Sequence, residues 1–152
     1  YNSSFSDLQA MNDTWCLGSQ FWSYNLPENY QKPNFGILLD MVGAKNAVFP
    51  KEEISRTYAG YHLNKIWKLG QYLGYGSFFK NKIAPPLTDD HTYINELTQI
   101  PTLDIIHYDV SPFTNRFDFG KFHHTHQDNM EIIDRQTLKA VGQTVLTYLF
   151  NN

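Results

Sequence analysis

The run Gly36-Ile37-Leu38-Leu39-Asp40-Met41-Val42-Gly43 does most to limit what this chain can fold into. It is nearly continuous in apolar side chains and is bounded by glycine at both ends. A surface helix or a half-exposed strand would interleave polar residues at a period near 3.6 or 2, and this run follows neither pattern. It predicts a strand buried on both faces, as in a parallel sheet covered by helices on each side. Asp40 interrupts the run. A lone carboxylate is very costly to bury, so Asp40 is expected at the strand's end, paired or solvated. Leu103-Asp104-Ile105-Ile106-His107-Tyr108 predicts a second strand of the same kind.

Helices are expected between and beyond these strands. From Lys51 to about Leu73, the side chains of Ile54, Tyr58 and Tyr61, then Ile66, Leu69 and Leu73, recur at helical spacing. Glu52 and Glu53 fall in the first turn, where the helix dipole favours negative charge. Gly74-Tyr75-Gly76 ends the helix. A shorter helix is expected from Trp15 to about Tyr24, followed by a connection through Pro27 and Pro33. Asp134 is a good N-cap for a last helix with Leu138, Val141, Val145 and Leu149 on one face. Residues 1–14 are polar and read as a loop, and a second loop runs through Pro85-Pro86. Strand, helix, strand and helix in this order predict an α/β layer structure. Ligands of such folds gather at the carboxyl ends of the strands, where Asp40, Asp89 and a histidine cluster all fall.

At 152 residues the chain has the length of one domain. Its net charge is −3 and it carries no basic stripe, which argues against a nucleic-acid partner. No apolar run is long enough to span a bilayer. The single cysteine, Cys16, excludes an internal disulfide and leaves the redox compartment open.

Four of the six histidines lie between positions 107 and 126, three of them in His123-His124-Thr125-His126. Neutral imidazole is a common zinc ligand, and a catalytic zinc takes three protein ligands and leaves one position open. One histidine of this segment could be such a ligand. A hydrogen-bonded or solvated histidine cluster is the simpler reading of the spacing alone. Asp89-Asp90-His91 could relay protons or orient a neighbouring group. Taken alone, it reads more simply as a turn or helix cap.

Four segments occur in a fixed order: Gly36 to Ala44, Thr88-Asp89-Asp90-His91, Ile100-Pro101, and His124-Thr125-His126-Gln127-Asp128-Asn129. As a set, this resembles the C-terminal half of bacterial-type glutaminyl cyclases, which share a fold with zinc-dependent aminopeptidases. The resemblance runs from about Trp15 to the end, and Trp15 to Trp22 looks like a helix that follows a metal-binding glutamate loop. It implies a three-layer α/β/α sandwich with a mostly parallel central sheet, and one zinc ion in the complete enzyme. It also implies that His124 is a zinc ligand and that Asp40 and Asp89 form a carboxylate network beside the metal. Leu87, Thr88, Phe113 and His123 match positions around the pocket for an N-terminal glutamine. His123 stands where many members have a tryptophan, and Asp104 where animal members have a histidine.

The reaction so implied is cyclisation of an N-terminal glutamine to pyroglutamate with release of ammonia, on peptide or protein substrates. The family's two other zinc ligands, an Asp and a Glu, and its catalytic Glu lie upstream of the Trp15 helix. Asp7 and Asp13 have no supporting motif for those roles. The chain is therefore expected to be a single domain or the C-terminal fragment of a larger catalytic domain, inactive without its upstream half. A bacterial envelope location, periplasmic or secreted, is expected from the resemblance alone. The alternatives are a zinc aminopeptidase of the same fold and a binding module that has lost catalysis.

Overall fold

The computed structural model describes residues 14–151. Of the polar segment 1–14, expected as a loop, only Thr14 lies within them; Asp7 and Asp13 lie outside the described residues. The elements in chain order are helix α1 (Leu17–Tyr24), strands β1 (Gly36–Asp40) and β2 (Phe49–Glu52), and helix α2 (Glu53–Tyr72). Strand β3 (Phe79–Ala84), helix α3 (Asp90–Thr98) and strand β4 (Thr102–Ile106) follow. The short strands β5 (Asp109–Val110) and β6 (Phe117–Asp118), a 3₁₀ turn (Met130–Ile132) and helix α4 (Arg135–Phe150) complete the chain.

The two apolar runs pair with each other. β1 and β4 are parallel, with Gly36 opposite Thr102 and Asp40 opposite Ile106. Gly36 is needed there, because a Cβ at that position would lie 2.6 Å from Thr102 Oγ1. β2 and β3 form a second parallel pair, irregular between Phe49 and Lys51, where Pro50 has no N–H to donate. The start of β2 is tied to the end of β4: Tyr108 N–H donates to the Val48 carbonyl at 3.1 Å, and Val48 N–H donates to His107 Nδ1 at 3.0 Å.

Alternation along β4 sorts its side chains between two helical layers. Leu103 and Ile105 join Leu63, Ile66 and Trp67 of α2 and Val141 and Val145 of α4 in one core with Phe49 and Phe79. Asp104 faces the other layer, where His91 of α3 lies, and α1 packs on α3. The result is the α/β/α layering implied by the sequence. Among the described residues no helix is long and apolar enough to cross a membrane.

Four expectations change. Every residue of β4 is buried, but β1 is buried on neither face as expected: Leu39 is 46% exposed. β1 pairs only with β4 among the described residues and so lies at the sheet's edge. The long helix begins at Glu53, because Lys51 and Glu52 end β2 and Glu52 then caps the helix. Its buried stripe is Ser55, Ala59, Leu63, Ile66, Trp67 and Gly70, whereas Tyr61 is 66% exposed and Tyr58 is exposed too. Small residues at the contact bring α2 close to the sheet. A Cβ on Gly70 would meet the Phe79 ring at 2.5 Å. Asp134 caps α4 as expected, accepting from Gln136 and Thr137 N–H at 2.8 and 2.9 Å. There Val141 and Val145 are buried with Thr137, Ala140 and Tyr148, while Leu138 and Leu149 are exposed.

Candidate functional site

The chemistry-bearing side chains collect where β1 ends and α3 begins. Asp40 is the last residue of β1, and Met41 turns the chain away in the left-handed region at φ 49°. Asp89 is the N-cap of α3 in a capping box with Thr92, and its Oδ1 accepts from Asp90 N–H at 2.7 Å. The cap thus fixes the Asp89 carboxylate close to Asp40. Burial, and then the charge of Asp89, push the Asp40 carboxyl above its ordinary value. A negative charge beside a carboxyl group disfavours its ionisation.

Behind this pair lies a buried second tier. His91 Nε2 is 3.2 Å from Glu52 Oε1, and His91 Nδ1 is 3.9 Å from Asp104 Oδ2. All three residues are buried. Glu52 also accepts from the Ile54 N–H at 2.8 Å and from the Ser55 N–H at the start of α2. Burial alone would raise the Glu52 carboxyl, but hydrogen bonds from His91 and Ser55 outweigh it and hold the group below its usual range. Asp104 has no such help. Burial, followed by the charges of Asp89, Asp40, Glu52 and Asp90, pushes it well above the ordinary carboxylate range.

The histidine segment forms a loop of successive turns. Thr125 N–H donates to the Phe122 carbonyl at 3.0 Å, and Asp128 N–H to the Thr125 carbonyl at 3.1 Å. Asn129 caps the following 3₁₀ turn through Glu131 N–H at 2.8 Å. The His-Thr-x-x-Asp-Asn pattern is therefore partly a folding signal. His124 occupies the left-handed region at φ 57°, is exposed, and stacks on His123 with ring centroids 3.8 Å apart. Burial, and then the neighbouring His124, lower the tendency of His123 to protonate.

The structure brings the expected residues together in pairs. Phe113 and His123 line one cleft of about 590 Å³ with His107, Phe119, Gly120 and Lys121. Asp40 lines another, of about 240 Å³, with Phe122 and Asp128. The loop that carries His124 contributes to both, through His123 to the first and through Phe122 and Asp128 to the second. Leu87 and Thr88 lead into α3 and line neither cleft; Leu87 is buried, and its carbonyl accepts from Thr92 Oγ1 at 3.4 Å. Among the described residues His124, although it stacks on His123, belongs to no group of three or more metal-binding side chains. The one such trio is Cys16, Asp89 and Asp90, whose donor atoms lie within 4.8 Å of one another. Reading the sequence alone missed Glu52 and the tie between His91 and Asp104, because their spacing follows no local pattern.

A three-layer α/β fold with acidic groups at its strand ends and a histidine loop beside them defines a class of metal-dependent exopeptidase-like enzymes. The chain belongs to peptidase family M28, whose family model matches residues 10–149. No curated protein matches it. Among solved structures, a glutaminyl cyclase from Tannerella forsythia is 47% identical with a TM-score of 0.86, over 93% of this chain and 47% of that one. A glutaminyl cyclase from Porphyromonas gingivalis is 42% identical with a TM-score of 0.82, over 96% and 50%. A protein from Bacteroides thetaiotaomicron described as a leucine aminopeptidase precursor is 46% identical with a TM-score of 0.80, over 91% and 44%. The chain therefore spans about half the length of the structures it matches.

Proposed function

We propose that the protein carrying this chain is a zinc-dependent glutaminyl-peptide cyclotransferase, and that this chain is the C-terminal half of its catalytic domain. The observation that carries the reading is the apposition of the Asp40 and Asp89 carboxyl groups, set at the strand end beside the histidine loop. In the reaction, the α-amine of an N-terminal glutamine attacks its own γ-carbonyl. A C–N bond forms, the bond to the amide nitrogen breaks, and ammonia leaves with the proton given up by the amine. Nucleophile and electrophile share one residue, so holding the substrate in a folded-back pose lowers the barrier. Asp40 and Asp89 set the charge beside the reacting nitrogen atoms, with burial and the neighbouring carboxylate making Asp40 easier to protonate than an ordinary carboxyl. Phe113 and His123 wall the cleft for the substrate's first residue.

His124 fits a zinc ligand: its imidazole is exposed, and it is carried on a fixed left-handed turn. When bound, zinc supplies Lewis-acid polarisation of the γ-carbonyl. The remaining ligands and the proton-transferring glutamate would come from the upstream half. That half would also cover the open edge of β1 and the adjoining groove of Phe35, Ile37, Leu39, Val145 and Leu149. A location in the bacterial envelope belongs to the same reading.

The test is to assay the full-length protein on a glutaminyl peptide and on a leucyl substrate. Ammonia release with a pyroglutamyl product is expected. Leucine release without cyclisation would establish the second reading, an aminopeptidase, which the similarity to the protein described as a leucine aminopeptidase precursor favours.

A further inference from the structure

The buried tier behind Asp40 and Asp89 contains an arrangement that the proposed reaction leaves unexplained. Asp104 is 1% exposed, and among the described residues neither of its carboxyl oxygens makes a hydrogen bond; nor does Nδ1 of His91. Asp104 N–H is satisfied separately, by Ser55 Oγ at 2.8 Å. Orphaned buried polar atoms are rare, and each calls for an account.

An ionised Asp104 would be a fifth carboxylate among Asp40 at the end of β1, Glu52 at the end of β2, and Asp89 and Asp90 at the start of α3. It would offer several lone pairs with nothing to receive them. A neutral Asp104 avoids this and gains a hydroxyl donor. Nε2 of His91 faces Glu52, a carboxylate already held ionised by the helix cap, so Nε2 carries a hydrogen and Nδ1 of a neutral ring is left as an acceptor. The separation of 3.9 Å exceeds a hydrogen bond, but a small shift of the Asp104 carboxyl satisfies both orphaned groups at once.

We infer that Asp104 is a neutral acid donating to His91 Nδ1, and that Glu52, His91 and Asp104 together are positioning residues that hold the first turn of α3. Asp89 caps that turn, so the unit fixes the reacting carboxylate from behind while adding only the one negative charge of Glu52. The positioning part rests on the cyclase reading; the protonation of Asp104 does not.

Two measurements on the full-length protein test these parts separately. In an infrared difference spectrum at neutral pH, Asp104→Asn should remove the carbonyl band of a protonated carboxylic acid. Nitrogen NMR should show a single protonated ring nitrogen on His91. Loss of carboxylate bands alone, or a doubly protonated His91, overturns the assignment. In the cyclase assay, Asp104→Ala should lower kcat about 10–100-fold with little change in KM, the usual effect of removing a group that orients a reacting one. Asp104→Asn should restore most of kcat and leave the acid limb of the pH profile in place, because an amide replaces a neutral acid. Equal activity of the two variants, or an acid limb moved by Asp104→Asn, overturns the positioning role. A wild-type protein without cyclase activity would instead refute the proposed reaction, and the infrared band would still decide the state of Asp104.

Discussion

Asp40 and Glu52 are both carboxylates at strand ends, yet they respond to pH in opposite senses. Glu52 is held below its ordinary value of 4.5, so its contribution to stability is present above that value and is lost as pH falls through the lowered one. Glu52→Gln removes the charge that assists the three hydrogen bonds from Ile54 N–H, Ser55 N–H and His91 Nε2, leaves one acceptor oxygen for them, and is expected to cost about 2–3 kcal/mol at neutral pH. It should also flatten the loss of stability in acid, which urea midpoints measured across the acid range would check. Asp40 is raised above its ordinary value of 3.8. Its folded form is favoured when protonated, and that advantage fades as pH rises from the ordinary value through the raised one. Asp40→Asn is therefore expected to be neutral or stabilising at neutral pH, while cyclase turnover falls by about 10²-fold or more. A variant that lost stability and kept turnover would contradict the role given to Asp40.

Among the elements, α2 and α4 show how two helical glycines can differ. Gly70 of α2 lies against the Phe79 ring, and an added Cβ would have to displace a buried aromatic side chain. Gly70→Ala is expected to destabilise by about 1–3 kcal/mol, the range for overpacking. Gly142 of α4 has nothing within 4 Å of the same added atom. Gly142→Ala should stabilise by about 0.4–1 kcal/mol through the unfolded chain. Thermal or urea unfolding of the two variants should move in opposite directions. The capped ends of these elements were legible in the sequence, since Asp134 and Gly74 act on their own neighbours. β2, β3 and α3 were not. β2 is four residues long and contains Pro50, β3 carries three consecutive polar residues, Lys80, Asn81 and Lys82, and α3 is only nine residues long.

Across the whole molecule, the apolar character of β1 exceeds what its surroundings bury. Leu39 is 46% exposed on a strand whose sequence reads as fully enclosed. If the sheet continues past β1 in the proposed full-length protein, Leu39→Lys there should cost about 2 kcal/mol or more, since it forfeits burial of a leucine. Tyr72, 86% exposed at the end of α2, serves as the comparison. Tyr72→Lys should stay within about 0.5 kcal/mol, as an ordinary surface change does. Equal effects at the two positions would mean that β1 remains an open edge.

The sequence by itself determined the layered α/β class, the strand at Leu103, the caps at Asp134 and Gly74, and the ordered segments around Asp40, Asp89 and His124. These signals are local: a period, a cap or a short motif is complete within a few residues. Only the tertiary structure decided that Asp40 and Asp89 lie side by side and that Glu52, His91 and Asp104 meet behind them. It also set the histidine loop against two clefts. Those relations join β1, β2, α3 and β4 across the sheet, and no local pattern records which distant side chains a parallel register will bring face to face.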